Sequence, residues 1–217
     1  MMIRNMFALA LLGLGAGHSA PAQTWSAELM GGTAINLSTP LIVHQNGYPD
    51  IDAVAHYETK PFGPDFPYYA IRFSRWNGDE AWEFGQVHHR LFLADPPTDI
   101  QYFAIHYGYS YLLFGHAWRR DGIVYHVGVG PIVTNPATTV RDEKRSVGGW
   151  LFNGGYYLSG VGVGVSAERD LHVSRKTYAL VEVEFTAGNA WAVPIANGYA
   201  EVPNLALHFH IGLGHYF

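Results

Sequence analysis

Over the last thirteen residues the odd positions are Leu205, Leu207, Phe209, Ile211, Leu213, His215 and Phe217, and the even ones Ala206, His208, His210, Gly212, Gly214 and Tyr216. Successive side chains of a strand point to opposite faces, so this pattern predicts a strand with one greasy face and one small or polar face. Phe103 to Ala117 divides in the same way. Phe103, Ile105, Tyr107, Tyr109, Tyr111 and Leu113 are read as its apolar, outward side, and His106, Gly108, Ser110 and His116 as its inward side. Ile123 to Val133 sets Tyr125, Val127 and Val129 against His126, Gly128 and Gly130, and Val181, Val183 and Phe185 alternate with Glu182 and Glu184. Between these stretches Val161, Val163 and Val165 stand opposite Gly160, Gly162 and Gly164. A glycine face leaves room for bulky neighbours inside a narrow barrel. Trp25 to Leu37 alternates with Glu28 and Asn36 inward. Pro67 to Trp76 and Ala81 to Ala94 carry charge and aromatics on both faces, which leaves their registers open.

The connections sort by length. Asn77 to Glu80, Arg120 to Gly122 and Glu168 to Asp170 read as short turns at one end, and the stretches near 38–66, 95–102, 134–150 and 189–202 as long loops at the other. Short turns on one side and long loops on the other are the habit of membrane barrels. The expectation is an all-β chain folded as an antiparallel transmembrane β-barrel of eight strands, or ten if Asp52 to Tyr57 adds a hairpin arm.

Length and composition narrow the class without changing it. The chain has 217 residues, enough for one unit, with 15% aromatic against 14% charged residues and 25 glycines, too apolar for disorder. It has no cysteine, so neither a disulfide framework nor a thiolate metal site is available. Arg4, the apolar run Met6 to Ala16 and the small residues Ala20 and Ala22 predict a signal peptide over 1–22, cut before Gln23, with the barrel over 23–217. No later run approaches the ~20 apolar residues of a spanning helix. A net charge of −5 without a basic stripe argues against nucleic acid as a partner.

With its signal peptide, its alternating segments and its terminal His215-Tyr216-Phe217, the chain resembles the small outer-membrane barrels of the OmpA-transmembrane, OmpX and OmpW type. The resemblance implies residence in the bacterial outer membrane, recognition of Phe217 by the barrel assembly machinery, contact with outer-membrane lipids and lipopolysaccharide, and a monomer. It implies no cofactor. Fold alone does not assign function.

Candidate chemistry concentrates on the expected lumen: His106, Ser110, His116, His126, Glu182, Glu184, His208 and His210 share inward parity. The plain reading is filling, since a barrel interior must hold polar groups that satisfy one another. On that reading the protein is non-enzymatic, with a role in envelope structure or in binding and passage of a small ligand. The contrasting reading is an outer-leaflet enzyme that modifies lipid A as a deacylase or acyltransferase, in which His106 activates Ser110 and Glu182 orients the imidazole. For a metal, the candidates are His208 and His210, one face and about 7 Å apart along a strand, with Glu182 or Glu184 beside them. A lateral gap near Leu112, Leu158 and Leu180 would admit small hydrophobic compounds. Arg141, Lys144 and Arg145 are placed in an external loop to meet lipopolysaccharide phosphates. Trp25, Tyr107, Tyr111, Trp118, Tyr125, Tyr157, Tyr216 and Phe217 are placed in interfacial girdles.

Overall fold

The structure is a computed structural model, and it describes residues 24–62, 67–146 and 155–217. The expected signal peptide lies outside the described residues. Twelve strands follow in order: β1 (Thr24–Asn36), β2 (Thr39–Gln45), β3 (Ile51–Glu58), β4 (Tyr69–Asn77), β5 (Glu80–Ala94), β6 (Ile100–Arg120), β7 (Ile123–Thr134), β8 (Ala137–Val140), β9 (Glu143–Ser146), β10 (Tyr157–His172), β11 (Thr177–Ile195) and β12 (Gly198–Tyr216). Eight of them, β1, β4, β5, β6, β7, β10, β11 and β12, form an antiparallel ring that closes where β1 meets β12, from Ser26 opposite Tyr216 to Asn36 opposite Ala206. Closure pairs every wall strand on both sides, which a sheet in hydrocarbon requires.

At the end of the ring that carries the termini the connections are tight. Asp121 and Gly122, both at positive φ, make the two-residue turn between β6 and β7 that the twist of a hairpin favours. One turn lies elsewhere than the sequence suggests. Glu168 to Asp170 belong to β10, whose Glu168 is paired with Glu182 and buried, and the chain reverses only at Val173 to Lys176. At the opposite end the presumed loops are partly strand. β2 prolongs the line of β1 along β12, β3 pairs with β2 and with the end of β5, and β8 lies on β6 with β9 outside it.

These short strands leave a break in the wall. β3 and β4 occupy one column between the β1–β2 line and β5, but they do not meet: β3 leaves β5 at Phe92 and β4 joins it at His88, while on the other side Thr39 pairs with Ala55 and Gly31 with Tyr69. Between them residues 59–62 and 67–68 lie outside the strands, and Tyr68 N donates to Pro61 O at 3.0 Å.

Outside, the ring carries a belt of exposed apolar residues that includes Leu29, Phe73, Phe84, Phe114, Val129, Val163 and Ile211, with Phe114 at 58% and Ile211 at 68% exposure. An apolar surface that encircles the molecule is a lipid-facing surface. Trp25, Trp82, Trp118 and Tyr125 mark its edge on the side of the termini, Trp118 stacked on Tyr125. Inside, the half near the termini is polar, and the other half holds an apolar core of residues such as Leu41, Leu91, Ile105, Tyr109 and Ile132. The glycine face of β10 serves the purpose its pattern suggests: a Cβ on Gly162 would come within 2.5 Å of the Tyr111 ring.

β6 is inverted relative to the sequence reading. Tyr109, Tyr111, Leu113 and Ala117 face the lumen, while Phe114, His116 and Trp118 face out. Small Gly115 and Ala117 fit the narrow interior, and the tyrosine hydroxyls find acceptors there, Tyr109 at Val202 O (2.9 Å) and Tyr111 at Asn204 Oδ1 (3.4 Å). Tyr111 is therefore not a girdle residue. Tyr216 also turns inward, packing against Tyr178 at the mouth near the termini.

Candidate functional site

The polar half of the lumen is organised around Arg72, which β4 projects inward along with Ala70, Ser74 and Trp76. Its Nη1 donates to Glu28 Oε2 at 2.9 Å and to Glu168 Oε2 at 2.8 Å, and its Nη2 donates to Glu182 Oε2. Glu83 Oε1 lies 4.0 Å from Nε, and His126 Nδ1 lies 3.0 Å from Glu83 Oε2. Tyr178 donates to the second oxygen of Glu28 at 2.6 Å, and Ser166 donates to Glu182 Oε2 at 2.8 Å. Carboxylates from four strands thus converge on one guanidinium. A planar fork of five donors serves several acceptors at once, as an ammonium does not. The guanidinium and its four carboxylates are all buried, so the pairing offsets the heavy cost of removing charge from water.

A second chain of bonds starts from the same cluster. Glu182 Oε1 meets His210 Nδ1 at 2.7 Å, His210 Nε2 meets the Tyr68 hydroxyl at 2.6 Å, the hydroxyl meets His208 Nδ1 at 2.7 Å, and His208 Nε2 meets Thr186 Oγ1 at 2.8 Å. A phenol has one proton, so one imidazole accepts from Tyr68 and the other donates to it. Tyr68 stands just before β4, beside the break in the wall, and is 3% exposed because its ring points into the barrel with the inward side chains of that strand. His89 stands edge-on to Tyr68 and to His208, and its Nε2 is 2.9 Å from Thr59 Oγ1. One tyrosine therefore fills the gap and joins it to the Arg72 cluster.

No protein-family model matches the chain, and no curated protein matches it. Among solved structures it is similar to Ail, the attachment invasion locus protein of Yersinia pestis, at 11% identity and a TM-score of 0.43, over 89% of this chain and 99% of that one. It is also similar to the outer membrane protein AlkL in DMPC lipid bilayers (11% identity, TM-score 0.47, covering 100% and 97%) and to Neisserial surface protein A (6%, 0.41, covering 90% and 97%). The fold assignment rests on the chain's own strand pairing and apolar belt. This is an eight-stranded transmembrane β-barrel.

Of the residues expected in the lumen, His126, Glu182, Glu184, His208 and His210 are there. His106, Ser110 and His116 are on the outward face of β6, as a consequence of its inversion. His116 lies edge-on to Trp82 in the girdle, and His106 stacks on Phe92 toward the far end. Ser110, His106 and Glu182 are not assembled into one set. Instead Ser110 Oγ lies 3.1 Å from Nδ1 of His88, its cross-strand partner, with Tyr69 stacked on the His88 ring at 4.7 Å. Asn135 continues the outward series of β7 beside this pair, and its buried side-chain amide has no hydrogen-bond partner. His208 and His210 do not face a common ion, because Tyr68 stands between them.

Arg72, Glu83, Glu168, Tyr68 and His88 are the members that sequence reasoning missed. For Arg72 a usable signal was the series Ala70, Arg72, Ser74, Trp76, with three of its four side chains small or hydrogen-bonding, against Ile71 and Phe73.

Proposed function

We propose that the protein is a non-enzymatic outer-membrane barrel, sealed along its axis, that supports the envelope and binds a small anionic group at its external end. The observation that carries this reading is the filled interior: an ion-paired cluster in one half and an apolar core in the other, with room for about 30 Å³ beside Arg72, roughly one water. Eight strands leave a bore that side chains fill. At the external end Lys144 and Arg145 line an open cleft of about 310 Å³ with Tyr102, His106 and Thr139. Arg141 is committed elsewhere, to Asp99 and to Pro49 O. Two cations in a shallow polar cleft suit a lipopolysaccharide phosphate through charge-assisted bonds. Export, insertion through recognition of Phe217, and a monomeric state complete the proposal.

One observation favours a second reading, an outer-leaflet lipid-modifying enzyme. Ser110 and His88 stand on the outward face six pairs above the Trp82–His116 level, in the half of the wall toward the outer leaflet, since a strand crosses the hydrocarbon core in ~9–11 residues. In such a site His88 Nδ1 takes the Ser110 proton as the oxygen attacks an ester carbonyl, and the Asn135 amide donates to the developing oxyanion. The proton then passes to the departing alcohol, and water releases the acyl group from Ser110.

Lipid A mass spectrometry separates the two. Cells that express the folded wild type, checked by heat-modifiable gel migration, are compared with cells that express Ser110→Ala. The scaffold reading predicts identical lipid A in both and in cells lacking the protein. An acylation change present with wild type and lost with Ser110→Ala would overturn it and establish the second reading.

A further inference from the structure

We infer that the lumen binds one zinc-class divalent cation through Glu182, Glu184 and His210. One ligand atom from each of these residues lies within 4.8 Å of the other two, with His210 Nδ1 2.7 Å from Glu182 Oε1 and 3.8 Å from Glu184 Oε2, so small side-chain shifts bring all three to the ~2.0–2.2 Å bonds of a common ion. The backbone sets this up. Glu182 and Glu184 are alternate inward residues of β11, and β12 places His210 directly opposite Glu182.

Glu184 is the observation that asks for a ligand. It is 4% exposed, and its Oε2 has no hydrogen-bond partner among the described residues, although a lone buried carboxylate oxygen is among the costliest groups a protein can hold. His210 Nδ1 lies 3.8 Å across from it, too long for a hydrogen bond and suitable for an ion between them. Charge points the same way. Glu28, Glu83, Glu168, Glu182 and Glu184 are all buried in this half of the barrel with Arg72 as the one buried guanidinium among them, and a dication reduces that excess.

The neighbours already hold the three ligands in place. Arg72 and Ser166 occupy Glu182 Oε2, so the ion takes Oε1 and His210 Nδ1 in place of the 2.7 Å hydrogen bond between them. With His210 Nδ1 on the ion, its Nε2 donates to Tyr68, Tyr68 donates to His208 Nδ1, and His208 Nε2 donates to Thr186 Oγ1, so every bond in that chain has one donor and one acceptor. A ligating histidine whose other nitrogen is fixed in this way is the usual arrangement around a protein-bound metal. Glu184 also borders the 30 Å³ cavity, which has space for the water that would complete four-coordination. An imidazole with two carboxylates suits zinc better than the all-oxygen ions calcium or magnesium. His126, Glu168 and Glu182 are as close together, but Arg72 donates to both of those carboxylates and leaves them less free to ligate.

The test is metal content after refolding. Wild type and Glu184→Gln, untagged, are refolded in detergent with zinc, washed with chelator and desalted, and their zinc is measured alongside heat-modifiable migration. About one retained equivalent is expected for wild type and a small fraction of that for Glu184→Gln, since loss of a charged ligand removes most of the binding. Cobalt loading of wild type serves as a second readout that needs no variant, because four-coordinate cobalt gives intense visible bands that surface histidines do not. Wild type that retains no zinc and shows no such bands overturns the proposal. So does folded Glu184→Gln that retains as much zinc as wild type; the Glu184 oxygen would then carry a proton instead.

Discussion

Arg72→Leu is expected to cost the barrel about 3–5 kcal/mol, the usual penalty for removing one partner from a buried ionic cluster. The leucine fits the space, so the loss comes from what is left behind. Glu28, Glu168 and Glu182 each lose a donor at once, in a buried compartment with room beside Arg72 for only about one water. Arg72→Lys should fall between the two, because an ammonium keeps the charge but cannot present Nη1 and Nη2 to carboxylates on opposite sides. Neutralising the orphaned partners should recover part of the loss, so Arg72→Leu combined with Glu168→Gln and Glu182→Gln is expected to be more stable than Arg72→Leu alone. Urea unfolding in lipid vesicles, followed by tryptophan fluorescence, gives the comparison. Wild-type stability in Arg72→Leu would mean that the cluster is not the keystone of the lumen.

Tyr68→Ala is expected to be of similar size for a different reason. Its ring fills the break between β3 and β4, and truncating a buried aromatic costs about 3–5 kcal/mol through lost contacts and the cavity left behind. The same substitution strands His208 Nδ1 and His210 Nε2, which both depend on the hydroxyl. Tyr68→Phe separates the two contributions. It keeps the ring and removes the hydroxyl, so it should lose only about 1–3 kcal/mol, the cost of unsatisfied buried polar groups. The same unfolding measurement checks both. Equal losses in the two variants would show that the hydroxyl, and not the filling of the gap, is what matters.

What the sequence disclosed depended on how sharply the two faces of a strand differ. In β11 and β12 one face is Val, Phe, Leu and Ile and the other His, Glu and Gly, so period two identified both the strands and their inward residues Glu182, Glu184, His208 and His210. In β6 the contrast is weaker, because Tyr107, Tyr109 and Tyr111 suit either a lipid interface or a lumen that offers acceptors. The small residues Gly115 and Ala117 opposite Phe114 and Trp118 held the answer, and weighing size above hydropathy would have given the right face. With β6 inverted, Ser110 and His106 left the lumen, and the pairing of Ser110 with His88 could not be foreseen. In β4 arginines stand on both faces, Arg72 inward and Arg75 outward, so charge alone did not single out the central cation, and only the small Ala70 and Ser74 beside Arg72, against Ile71 and Phe73, marked its face. Tyr68 lies on the parity of Arg72 within the Pro67 to Trp76 stretch whose register stayed open, and its partners are 140 and 142 residues away, so its place in the lumen followed only from the fold. β3 was legible as the hairpin arm that Asp52 to Tyr57 could add, but not that it shares a wall column with β4, because the run of prolines between them reads as a loop.

The sealed interior is tested most directly by recording current across a planar bilayer that contains the refolded wild-type protein, with insertion confirmed independently by heat-modifiable migration of the same preparation. A lumen closed by the Arg72 cluster in one half and an apolar core in the other predicts a flat baseline under applied voltage. Steady, voltage-proportional current steps from folded protein would contradict it and would mean that a continuous water-filled path crosses the barrel.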